Sequence, residues 1–167
     1  MNIKWLRRLK IGREPWHTRW DTRYYSDLMP DGTAREFTFV MEAKSVITSP
    51  SGGQHLPGPG FVEISGLAWS GRGRIDRVEV STDGGQSWTA STLQEPVRSI
   101  AWTRFRLPWM WDGQATQLQS RAIDESGYVQ PTIAQLVEAR GVNSMFHNNA
   151  IKTWAIASNG EVSNVYA

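Results

Sequence analysis

The chain has 167 residues, 40% of them hydrophobic and 20% charged, with a formal net charge of +2. That composition fits one folded domain with its own core, or one domain and a short arm, and excludes a disordered chain. There is no cysteine, which excludes disulfides, thiolate nucleophiles and cysteine-ligated metals.

The histidines are His17, His55 and His147, far apart and never at metal-ligand spacing, so a zinc or iron site built from this chain alone is not expected. The densest basic cluster, Arg7, Arg8, Lys10 and Arg13, reads as a solvated edge or a surface that meets a partner domain, rather than a nucleic-acid face. No apolar run reaches the roughly 18 residues that a membrane span requires. The basic start lacks the apolar stretch of a signal peptide, so any export signal is expected upstream of Met1. Nine tryptophans are many for one domain and suggest a sandwich core, an interface or a sugar-binding face.

Residues 1–35 read as an arm wrapping over something. Apolar and charged side chains alternate loosely over 4–11, Pro15, Asp21 and the Asp31-Gly32 pair interrupt, and residues 18–29 predict a short helix ending near Pro30. Strand signals begin at residue 37. Residues 37–48 are rich in Phe, Val, Ile and Thr, stop at Ser49-Pro50, and lead into a Gly/Pro-rich loop. Residues 61–69 alternate, with Val62, Ile64, Gly66 and Ala68 on one face and Glu63 and Ser65 on the other. Residues 75–81 form a strand with Val78 and Val80 inward, Asp83-Gly84 turns the chain, and residues 87–93 return as its partner. Residues 100–107 and 115–123 are two further strands, and 124–127 a turn. The tail, residues 140–167, holds a polar loop over 143–149 and a last strand over 151–157. Short, evenly spaced strands without a long amphipathic helix predict an all-β, immunoglobulin-like β-sandwich over residues 36–167, with an N-terminal arm and an irregular C-terminal tail.

Five motifs carry possible chemistry. Ser81-Thr82-Asp83-Gly84-Gly85-Gln86-Ser87-Trp88 fits the hairpin box S-x-D-x-G-x-x-W; its Asp accepts from turn amides, its glycines supply positive φ, and its Trp packs back, which makes it structural. Gly71 and Gly73 with Arg72 and Arg74 lack the following helix of a phosphate loop and read as a bulge or tight connection. The acids Asp76, Glu79, Asp83, Asp112, Asp124 and Glu125 include several at turns beside Gly, where capping outweighs glycoside hydrolysis. Trp102, Trp109 and Trp111, with Arg98, Arg104 and Arg106 nearby, fit either a sugar platform or the centre of a protein interface. His147-Asn148-Asn149 suits a loop that satisfies its own backbone, or amides that orient a ligand.

In order along the chain, these pieces resemble the molybdopterin-oxidoreductase dimerisation domain of the sulfite oxidase family. Ser45-Val46-Ile47-Thr48-Ser49-Pro50 is similar to its opening S-x-I-T-x-P. Gly66-Leu67-Ala68-Trp69-Ser70-Gly71, with Gly73 and Ile75, resembles its G-x-A-W-S-G-x-G-x-I. Val78-Glu79-Val80-Ser81-Thr82-Asp83-Gly84-Gly85 with Trp88 is similar to its hairpin, and Trp102, Arg121-Ala122-Ile123-Asp124, Gly127, Gln130-Pro131 and Arg140-Gly141-Val142 continue the pattern. The tail His147-Asn148-Asn149-Ala150-Ile151 and the stretch Leu28-Met29-Pro30-Asp31-Gly32 resemble the bacterial sulfane dehydrogenase molybdenum subunits of the Sox type.

The resemblance implies an interaction module of a periplasmic parent, with two copies pairing as a homodimer, an upstream molybdenum-pterin domain and a c-type cytochrome partner, and with neither nucleic acid nor membrane as a target. Molybdenum-molybdopterin belongs to the parent; this chain is expected to hold no cofactor and to turn over no substrate alone. By the same resemblance, residues 1–35 hold the arm and the end of the molybdenum-pterin domain, Asn2, Ile3 and Lys4 match residues at the pterin edge, and His147, Asn148 and Asn149 lie near the substrate, with Asn149 or Asn148 where animal sulfite oxidases place an Arg. The pairing surface is expected around Trp102, Trp109 and Trp111 and the Arg72 loop. The rival reading is a standalone immunoglobulin-like module that binds carbohydrate or protein.

Overall fold

A computed structural model of the chain describes residues 4–36, 40–142 and 147–165. The arm carries α1, Arg19–Tyr24, N-capped by the Thr18 side chain, and a small antiparallel hairpin of β1, Asp27–Leu28, and β2, Ala34–Arg35. The predicted helix over 18–29 is therefore shorter. The backbone leaves it to make the hairpin, whose turn is closed by Asp31 accepting from the Thr33 amide at 2.9 Å and hydroxyl at 2.7 Å.

The sandwich follows. β3, Lys44–Ser49, β4, Gly60–Trp69, β5, Ile75–Ser81, β6, Thr89–Ala90, β7, Thr92–Leu93, β8, Thr103–Trp111, and β9, Thr116–Asp124, come before α2, Ile133–Arg140. β10, Thr153–Ile156, and β11, Val162–Val165, close the order. One sheet runs β3-β4-β8-β7 and the other β11-β10-β9-β5-β6, with every pairing antiparallel.

Period-two alternation puts Ile47, Ile64, Ala68, Phe105 and Trp111 of the first sheet against Val78, Val80, Leu118, Ala122 and Ile156 of the second, all buried. Gly66 occupies an inward position of β4 because a Cβ there would run into the Val46 carbonyl and the Phe105 ring. The sheets are also joined by polar groups: buried Gln130 accepts at Oε1 from the Ser45 amide at 2.8 Å on β3 and from the Ala122 amide at 3.1 Å on β9.

Further expectations needed correction. The strand expected over 37–48 begins at Lys44, and residues 37–39 lie outside the described residues. The strand expected at residue 100 begins at Thr103, because Ile100 turns the chain with φ of +52°, and it runs on through Pro108. Proline is tolerated there because β7 pairs only with Phe105 and Arg106, leaving no ladder bond for that residue to donate. In the tail, the strand expected over 151–157 is β10, Thr153–Ile156, and β11, not expected, pairs with it in a hairpin that extends the second sheet.

Replacing Gly66 with Ala is expected to cost about 2 kcal/mol, since the added methyl meets backbone on one side and a fully buried ring on the other. For a chain of this length that is a fall in Tm of roughly 4–8 °C by calorimetry. Unchanged stability would show that the Phe105 contact is looser than described.

Candidate functional site

Glu42, between the arm and β3, is where the chain's separate pieces meet. Its Oε1 accepts from Arg72 at 3.0 Å; its Oε2 accepts from the Tyr128 hydroxyl at 2.9 Å and from Arg140 at 3.3 Å, and lies 3.3 Å from His147 Nε2. Arg140 also reaches Asp27 on β1 at 3.5 Å. The local sequence explains how Arg140 gets there. The capping box of Thr132 and Gln135 starts α2, Gly141 at φ +77° ends it, and Leu136 and Arg140, one turn apart, form its buried stripe.

Burial pushes the Glu42 carboxyl up, but hydrogen bonds from Tyr128 and Arg72 and the charge of Arg140 outweigh it and hold the group below the usual carboxylate range. Burial, then the Arg140 charge, depress the His147 imidazole against the opposing pull of Glu42, so His147 is neutral at pH 7. The Tyr128 phenol is pushed up by burial. The hub thus sets two guanidiniums against two carboxylates around a neutral imidazole.

The tail trio is divided. Asn149 donates from Nδ2 to the Ala43 carbonyl and to the Tyr128 hydroxyl, each at 3.1 Å. Asn148 turns its side chain back to accept from the Ala150 amide at 3.2 Å, while its carbonyl accepts from Lys44 Nζ at 2.5 Å. His147 and Asn149 are 7% and 2% exposed, so they are built into this domain rather than laid on an open surface. Lys4 is exposed on the arm and takes no part in the hub. Asn2, Ile3 and residues 143–146 lie outside the described residues. The sequence reading missed Glu42 and Tyr128, whose hydrogen-bond partners are up to 98 residues away and leave no local pattern.

A second candidate is the outer face of the β3-β4-β8-β7 sheet. Phe61 on β4 stands opposite Met110 on β8, 67% and 68% exposed. At the other end Trp69 stacks on Trp102 at 5.2 Å, with Trp102 and Ile100 70% and 72% exposed. Between them Arg106 pairs with Glu63 at 2.8 Å, beside exposed Arg104. Of the tryptophans expected to line one surface, only Trp102 does so: Trp111 is buried and Trp109 packs against the core. They form no common platform for a sugar ring. The Arg72 loop is spent on Glu42 and on the Tyr128 ring, 5.7 Å from its guanidinium.

The remaining motifs are structural, as their composition suggested. Asp83 accepts from the Gln86 and Ser87 amides and from two serine hydroxyls, which hold it down to about 2, the Ser87 hydroxyl foremost. Trp88 donates to the Gly85 carbonyl and carries the Arg121 guanidinium on its ring at 4.2 Å. Asp112 and Asp124 likewise accept from turn amides. Among the described residues no group of His, Asp and Glu is placed to hold a metal, and no helix is long and apolar enough to cross a membrane.

The profile of the Mo-co oxidoreductase dimerisation domain matches residues 35–154. Sulfite oxidase of Gallus gallus is 32% identical over 157 residues, covering 86% of this chain and 34% of that protein. Mitochondrial sulfite oxidase of Homo sapiens is 33% identical over 158 residues, covering 86% and 29%. Among solved structures, the sulfane dehydrogenase SoxCD from Paracoccus pantotrophus is similar with a TM-score of 0.86 and 54% identity, over 90% of this chain and 39% of the matched one. The chain spans about a third of the length of these relatives.

The hub makes stability fall with acid. His147 and Glu42 both bind protons less readily folded than unfolded. Stability is therefore complete above the ordinary histidine value of 6.5, is lost first as pH falls below it, and then further below the ordinary glutamate value of 4.5. Urea midpoints are expected to drop from pH 7 to pH 4, with the first part of the drop absent in His147→Gln. Arg140→Ala, which takes a guanidinium away from both Asp27 and Glu42 in a buried site, is expected to cost about 3–5 kcal/mol at pH 7 in the same assay.

Proposed function

The chain belongs to the Mo-co oxidoreductase dimerisation domain family, and from that premise we propose that it is the assembly domain of a longer molybdenum oxidoreductase of the sulfite or sulfane dehydrogenase type. Two copies pair as a homodimer through the outer face of the β3-β4-β8-β7 sheet. The observation that carries this is the pattern of that face: exposed apolar pairs at both ends, Phe61 with Met110 and Trp69 with Trp102, and charges in the middle.

A two-fold contact needs a self-complementary patch. Turning this face on itself puts apolar end against apolar end, or lets Glu63 and Arg106 exchange partners across the axis. An obligate interface of this kind buries on the order of 2,000 Å² in total.

Residues 1–35 are the arm that lies against an upstream molybdenum-pterin domain. Exposed Trp5, Leu6, Leu9, Ile11 and Trp16 support this, since so many large apolar side chains on one short stretch call for a cover. Asn2, Ile3 and Lys4 would then stand at the pterin edge, and His147, Asn148 and Asn149 near the substrate. The residues of this chain do not themselves make a molybdenum site: it supplies no thiolate and no ligand cluster among the described residues. The Sox-type likeness supports a carrier-bound sulfur group as the parent's substrate, a c-type cytochrome as its electron acceptor and the periplasm as its place.

Light scattering across tens of micromolar tests the pairing. The wild-type chain is expected to run as a dimer, and Trp102→Glu or Met110→Glu to weaken it roughly 100-fold or more while circular dichroism stays unchanged. If both variants dimerise like wild type, the pairing face is elsewhere; a wild-type chain that stays monomeric even when joined to its upstream domain sinks the assembly role.

A further inference from the structure

We infer that Glu42, acting through Tyr128, positions Asn149 with both amide protons committed inside the domain, so that its buried Oδ1 is left as an unfilled hydrogen-bond acceptor and suits a donor such as an amide N–H rather than an oxyanion.

The orientation of Asn149 follows from its neighbours. The Ala43 carbonyl can only accept, so the atom 3.1 Å from it must be Nδ2. Tyr128 has a single proton, and at 2.9 Å from an ionised Glu42 carboxylate that proton goes to Glu42. The Tyr128 oxygen then accepts the second amide proton of Asn149, again at 3.1 Å. Both N–H groups of Asn149 are spent inside the domain. What is left is Oδ1, buried and without a hydrogen-bond donor among the described residues. A buried acceptor without a donor is a standing demand for one, and an oxyanion has none to give.

The nearby cations are already engaged. Arg72 and Arg140, which could have drawn an anion, are matched by Glu42 and Asp27, and Lys44 spends its Nζ on the Asn148 carbonyl. Glu42 and Tyr128 are therefore positioning residues: neither is assigned a contact with substrate, but together they set which face of Asn149 is offered. This deepens the proposed place of the tail near the substrate, while the relay itself belongs to this chain.

The test reads the side-chain amide of Asn149 by NMR in the 167-residue chain, its signal assigned by its loss in Asn149→Asp. Both amide protons are expected to exchange slowly. Tyr128→Phe, which keeps the ring, is expected to speed exchange of one proton at least tenfold and leave the other unchanged. The Asn149 signals are also expected to move as acid protonates Glu42, a residue they do not touch. The groups facing Glu42 are Arg72, Tyr128, Arg140 and His147, with Asp27 behind Arg140; the step is separated from His147 by following the imidazole's own signals. Glu42→Gln, whose Oε1 still accepts from Tyr128, should keep the slow exchange and lose that pH step.

Fast exchange of both protons in the wild type, or no response to Tyr128→Phe, overturns the relay. A saturable shift of Asn149 on adding sodium sulfite at constant ionic strength overturns the acceptor assignment; no such shift supports it. A chain that stays monomeric even when joined to its upstream domain, with the pattern intact, fails the assembly role and leaves the relay standing, whereas a dimer without it does the reverse.

Discussion

The arrangement depends on one buried carboxylate. Glu42 receives Arg72 from the β4–β5 loop, Tyr128 from the loop after β9, Arg140 from the end of α2 and the contact of His147 from the tail. A charge taken out of water holds only if its neighbours compensate it, and here Arg72, Tyr128 and Arg140, from three segments, supply that compensation, with the neutral His147 packed beside them. The hub therefore works by mutual requirement: removing Arg72 or Arg140 leaves Glu42 with less compensation, and removing Glu42 leaves both guanidiniums without it. The β1–β2 hairpin, which shares no strand pairing with the sandwich, is tied to it through Asp27 and Arg140.

The sandwich was legible wherever burial imposes a period. Residues 61–69 announced which side chains point inward, and Ile64, Gly66 and Ala68 do so. The Asp83-Gly84 hairpin was legible because its chemistry is local, with all partners of Asp83 within four residues. The second tail strand was not, since Val162-Ser163-Asn164-Val165 has too little apolar content to register, although Asn159-Gly160 just before it is a turn signal. The hub was illegible in principle. Glu42 is an ordinary glutamate between Met41 and Ala43, and what makes it central is the folding of Tyr128, 86 residues on, against it. The tryptophan cluster misled for the opposite reason: closeness in sequence suggested one surface, but strand alternation sends Trp109 and Trp111 inward and Trp102 outward.

Resemblance and geometry contributed different things. The order of motifs carried the family, because turns and inward glycines are the positions a sandwich of this shape cannot vary freely. Gly66 under the Phe105 ring and Gly71 against the Met41 backbone are examples of residues held by steric need. The tail trio was assigned a place near substrate by likeness alone. The structure adds what likeness could not: Asn149 is committed through both amide protons, and Asn148 serves the local turn.

The two candidate surfaces are contiguous. Trp102, exposed on the outer sheet face, stacks on Trp69; the Trp69 indole donates to the Met41 sulfur at 3.0 Å; and Met41 is the residue before Glu42. The Met41 carbonyl also accepts from the Gly71 amide at 2.6 Å, one residue from the Arg72 that binds Glu42. A contact that presses on Trp102 therefore bears on the segment that holds Glu42, through packed side chains and a backbone bond. Contiguity of this kind is not by itself coupling, which needs an element with two discrete states, and every link here is a short, closed contact. What it provides is rigidity: the aromatic stack fixes Met41, Met41 fixes the approach of Glu42, and Glu42 fixes Tyr128 and Asn149. For the proposed pairing face that is the useful property, because a face firmly connected to the tail would hold two copies and whatever abuts their tails in one defined geometry.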